Sequence, residues 1–175
     1  MASVQFTQNI GTTMPHGQAG SYARQPDMIV NTFPAGGSLP FGAPMKLSEG
    51  KVVLMGASSS ASDFIGIAAR EVKSALTFLD QSEGFYNQNE PASIFQRGCI
   101  NVKCQRGTPA YGGAVYVRIT ANASYSTAEV GGFEASSDST NSVQLKGCMW
   151  MGPADANGIA ELRITTFPNA GVVNS

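Results

Sequence analysis

The chain has 175 residues, and its eleven Lys and Arg nearly cancel its twelve Asp and Glu, leaving only 13% of positions charged, against roughly a quarter in ordinary soluble domains. That balance predicts no nucleic-acid partner, because phosphate recognition needs a basic patch. A hydrophobic content of 42% predicts a folded domain, while no run long enough for a membrane helix and no basic-then-apolar leader predict no membrane partner and residence in the cytosol or in a particle built there.

Residues 1–40 are rich in Gly, Pro, Gln, Asn, Ser and Thr, with apolar residues arriving singly. They read as an extended N-terminal arm whose Phe6, Ile10, Met28, Ile29 and Phe33 dock onto a neighbour, since a plain linker carries few large apolar groups. Residues 41–167 read as the folded domain and 168–175 as a polar C-terminal tail. Pro44–Leu47 and Lys51–Met55 bracket Ser48–Gly50 and predict a hairpin. Gly56–Ser62 is a polar loop that matches neither phosphate-binding glycine motif, and Phe64–Ala69 is a buried strand. Arg70–Leu79 suits either three helical turns or a continued strand, and an extended start followed by loop is the reading taken here.

The central stretch is Pro91–Ala121. Ile100, Val102 and Cys104 alternate with Asn101 and Lys103, and Val115, Val117 and Ile119 alternate with Tyr116 and Arg118. A period of two marks two strands with one face each toward a core, and Arg106–Gly113 supplies a reversal between them. Gly98 predicts a bulge or a close backbone approach. Val130–Ala135 is a short strand, Ser142–Lys146 alternates with Val143 and Leu145 inward, and Asn157–Gly158 marks a hairpin into Ile159–Thr166. Many short strands at even spacing predict an all-β fold, a small antiparallel β-sandwich or β-barrel with an extended N-terminal arm.

No residue set reads as a catalytic or metal site. His16, the single histidine, lies in a Pro/Gly-flanked stretch without the rigid partners a general base needs. Cys99, Cys104 and Cys148 form an odd set with no paired spacing and read as reduced, partly buried thiols. Asp155–Gly158 copies part of a calcium loop without its later acidic ligands, and a turn accounts for it. No cofactor is expected. Trp150 with Met149 and Met151 reads first as core and second as an interface group. Tyr116 and Arg118, on the outward face of their strand, are expected with Tyr111 to contact a partner. A sugar-binding module stacking on Trp150, Tyr111 and Tyr116 is the rival from another class.

Phe64–Val72, Asn89–Lys103, Gly107–Ile119, Gly131–Ala135 and Asp155–Glu161, in that order, resemble the structural cement (capsid decoration) proteins of tailed bacteriophages over roughly residues 40–165. The resemblance implies a non-enzymatic virion protein on the outer surface of the head. It would bridge neighbouring major capsid proteins, pair with itself as a dimer or trimer at a local symmetry axis, and extend its arm over adjacent subunits. A tail, connector or head-fibre component is the alternative within the structural class.

Overall fold

The computed structural model describes residues 15–71 and 83–166. Eleven strands form there: β1 (Tyr22–Pro34), β2 (Leu39–Pro40), β3 (Pro44–Ser48), β4 (Lys51–Leu54), β5 (Phe64–Ala68), β6 (Phe85–Tyr86), β7 (Pro91–Arg106), β8 (Ala114–Arg118), β9 (Phe133–Glu134), β10 (Ser142–Trp150) and β11 (Ile159–Ile164). Short 3₁₀ turns are the only helical pieces among these residues. The all-β expectation stands, in its barrel form.

The sixteen-residue β7 is the spine. Its second half pairs with β11 on one edge and with β9 on the other, and β9, β8, β10 and β11 follow in hydrogen-bonded order until the ring closes. Closure removes the free edges that would template aggregation. The barrel is filled by Ile100, Val102, Val115, Val117, Phe133, Leu145, Cys148, Trp150, Ala160, Leu162 and Ile164, with Phe95 beside them. Ile100, Val102, Val115, Val117, Leu145, Ala160, Leu162 and Ile164 are inward as the alternation predicts and Cys104 and Val143 pack against them, whereas Ile119, expected with them, is not part of this core. The first half of β7 carries β1 and β5, and β3 and β4 continue from β5. A second core lies there, built on Leu39, Phe41, Met45, Val52, Ile65, Tyr86, Ala92 and Ile94.

Gly98 joins the two halves. Phe95 and Ile100 both face the barrel core, although an odd separation in a regular strand would put them on opposite faces. Gly98 adopts φ +106°, and opposite it residues 25–28 of β1 are squeezed between the pairs Arg24–Cys99 and Ile29–Arg97. A Cβ at Gly98 would strike the carbonyl of Asp27. The bulge read from the sequence is therefore also the close approach.

The predicted hairpin of β3 and β4 forms with Glu49 and Gly50 both at positive φ (49° and 78°), the turn whose twist matches that of the flanking strands. β10 and β11 likewise pair across the loop ending in Asn157–Gly158.

Two expectations change. Tyr22–Pro34, expected within the arm of residues 1–40, is a strand on β7; its bulge breaks the alternation, so no period shows in the sequence. The strands flanking the reversal at Arg106–Gly113 are not neighbours, because β9 inserts between them, parallel to β7 and antiparallel to β8. Most of the ambiguous Arg70–Leu79, the stretch holding Phe6 and Ile10, and the tail from residue 168 lie outside the described residues.

Candidate functional site

β9 is only two residues long, and its second residue explains why it holds its place. The Glu134 carboxylate is fully buried between two strands. Its Oε2 accepts from Arg106 Nε of β7 at 3.0 Å, and its Oε1 from Arg118 Nε of β8 at 2.6 Å. Arg118 Nη1 also donates to Asp138 at 2.8 Å, and Arg106 Nη2 donates to the carbonyls of Ser136 and Ser137. Asn122 donates to both Asp138 oxygens, and the Tyr125 ring lies 4.5 Å from the Arg106 guanidinium. The loops Ile119–Gly132 and Ala135–Asn141 are thereby tied over the outer side of β8.

This corrects the reading of Arg118. It lies on the outward face as the alternation predicts, yet it is 0% exposed, because those loops cover it. Trp150 is also wholly buried, facing the barrel core. A large indole at the end of β10 fills the barrel better than it serves a surface, and the sugar platform that needs it exposed loses its centre. Met28 and Phe33 are half-buried, packed against the first and second cores respectively. Tyr116 is half-buried on the outer face of β8. Tyr111 is 75% exposed at the tip of the Arg106–Gly113 loop, which is anchored by paired backbone bonds between Trp150 and Gly112–Gly113. The structure does not bring these residues together: Tyr111 is at a loop tip, Tyr116 on a wall, Met28 and Phe33 on β1.

At one end of the barrel a cavity of about 470 Å³ opens, lined among others by Pro15, His16, Arg24, Met151, Pro153 and Glu161. Its acidic groups are already engaged. Asp155 accepts from the backbone N–H of His16, Asn157 and Ile159 at 2.9–3.0 Å. The Ile159 bond foremost, joined by the other two, holds its carboxyl below the usual range. Glu161 is taken by Arg24 through two bonds. A second groove, of about 430 Å³, lies beside Phe41, Leu54, Gln105 and Val130. Neither has the nucleophile, base and oxyanion donors of a catalytic constellation. Burial pushes the Cys99 thiol up to about 11 and Cys148 to about 12, so both stay protonated and unreactive near neutral pH. Among the described residues no group of three His, Cys, Asp or Glu side chains is placed to hold a metal.

The surface available for contact is therefore Tyr111 together with exposed apolar residues that periodicity left unremarked. Leu47 is at the β3–β4 hairpin, and Tyr125 and Val130 are on the loop over β8. Ile29, named from the sequence as an arm residue, is exposed on β1. Tyr125 and Val130 lie on a loop, which carries no periodic signal, so only their type could have drawn notice.

Residues 6–165 match the family described as structural cement protein (E217 gp24/Pam3 gp6). The chain belongs to this family of phage structural cement proteins. Among solved structures, this cement protein is similar to a chain from a structure titled "The capsid of Myoviridae Phage XM1", with a TM-score of 0.69 and 20% identity over 93% of this chain and 98% of that one. At that identity the likeness speaks for the fold. No curated protein matches.

Proposed function

We propose that this cement protein binds the outer surface of a bacteriophage head and stabilises it by bridging neighbouring major capsid proteins. It acts as a dimer or trimer at local symmetry axes, without catalysis and without nucleic acid. The observation that carries the reading is the family match running through residues 6–165, which takes in both cores and part of the stretch preceding Pro15. A closed barrel adds a rigid body with contact groups on its loops. Binding an assembled shell but not its separated subunits shifts the equilibrium toward the shell by mass action, and many modest contacts on one lattice add through avidity. Tyr111 and Tyr116 are the contact residues of the barrel, with Phe6 and Ile10 on the arm; Arg118 and Trp150 act from within as supports.

The test is cosedimentation of the purified protein with undecorated heads of the same virus, before and after shell expansion. Saturable binding at a fixed ratio to the major capsid protein is expected, and absence of binding to both shells would overturn the reading.

A further inference from the structure

Three of the six arginines of the chain gather on the outer face shared by β1, β7 and β11. Cys99 of β7 is opposite Arg163 of β11 on one side and Arg24 of β1 on the other, and Arg97 is the next outward residue before the bulge. Two carboxylates hold them. Asp27, pushed out by the bulge, accepts from Arg97 Nε at 2.9 Å and from Arg163 Nη2 at 3.1 Å. Glu161 accepts from Arg24 Nε at 2.6 Å and Nη2 at 3.0 Å. These bonds fix the three guanidiniums side by side and leave N–H donors on each of them without an acceptor among the described residues. Arg24, at 64%, and Arg97 are exposed, and Arg163 is half-buried. Met149, paired with Arg163, and Ile29, paired with Arg97, add apolar surface beside them.

We propose that this arginine-lined sheet face is a docking site for an acidic, partly apolar protein segment, whose carboxylates take the free guanidinium donors while its apolar groups rest on Ile29 and Met149. Guanidinium forks match carboxylates in pairs of parallel bonds. Preorganisation by Asp27 and Glu161 reduces the side-chain entropy lost on binding. A protein segment fits better than nucleic acid, because Ile29 and Met149 beside the guanidiniums offer an apolar contact that a phosphate backbone does not use. That the segment belongs to the shell rests on the cementing reading; the face itself does not.

The test uses the full chain and a variant carrying Arg97→Gln and Arg163→Gln, which spares Arg24 because that residue neutralises the nearly buried Glu161. A capped ten-residue peptide of glutamates interspersed with leucines is titrated into each at low and at moderate salt, with a Lys46→Gln, Lys51→Gln variant of the β3–β4 hairpin as control. The wild type and the control are expected to bind saturably and more weakly as salt rises. The arginine variant is expected to bind at least about fivefold more weakly with an unchanged melting temperature. No binding by the wild type, equal binding by the arginine variant, or tighter binding of a single-stranded oligonucleotide than of the peptide would each overturn the proposal. In head cosedimentation the same variant separates the two ideas. Wild-type head binding with an equally strong variant refutes the shell as the source of the segment and leaves cementing standing. A wild type that binds the peptide but no shell refutes cementing alone.

Discussion

Glu134 is a single side chain answering to two strands, and the consequence of removing it can be stated. Glu134→Ala would leave Arg106 and the fully buried Arg118 without their shared carboxylate. Breaking a buried pair from one side costs about 3–5 kcal/mol, a large share of the roughly 5–15 kcal/mol that holds a domain folded. Urea unfolding of the variant should show that loss, and a change under about 1 kcal/mol would mean the network behaves like a surface pair. Acid tests the same kind of group more gently. Asp138 and Asp155 are held below the usual carboxylate range, Asp138 first by Asn122 and also by Arg118, Asp155 first by the Ile159 N–H. A folded value below the unfolded one, near ~3.9, contributes stability above that value and loses it as pH falls through the folded value. Melting temperature should therefore drop below about pH 4, and Asp155→Asn should flatten part of that drop. An undiminished drop in the variant would remove Asp155 from the account.

Among the elements, β7 decides most. Gly98 lets one strand serve two cores, and the cost of altering it is steric. Ala at φ +106°, against the Asp27 carbonyl, adds strain of about 1–3 kcal/mol for the backbone alone. Gly98→Ala should thus lower thermal stability by about 2 kcal/mol or more, while Gly50→Ala, at a turn whose Cβ would meet nothing within 4 Å, should cost less. Equal losses at the two sites would refute the close approach between β1 and β7. Strands β8 and β11 were legible because each alternates cleanly, Val115 and Val117 in one and Ala160, Leu162 and Ile164 in the other. The order of the strands was not. β9 is two residues long and wins its place between β7 and β8 through a buried carboxylate and Phe133, neither of which makes a periodic signal.

At the scale of the whole molecule the prediction concerns attachment. Deleting residues 2–14, or replacing Tyr111 by Ala, should weaken binding to undecorated heads while leaving the melting temperature of the barrel within a few degrees of the parent's. Tyr111 is 75% exposed, so its loss removes little internal packing. Unchanged head affinity in both variants would take the arm and this loop out of the contact surface.

Composition and alternation by themselves determined the all-β class, the inward residues of the barrel strands, the hairpins at Glu49–Gly50 and Asn157–Gly158 and the bulge at Gly98, because each depends on a residue and its near neighbours in the chain. The order of adjacent segments carried the family resemblance as well. Only the tertiary structure decided that Tyr22–Pro34 is a strand, that Arg118 is buried although it points outward, and that Arg24, Arg97 and Arg163 share a face. Each of these is set by what lies across the sheet or above it, from segments tens of residues away, and a side chain's exposure is the property least written in its own neighbourhood.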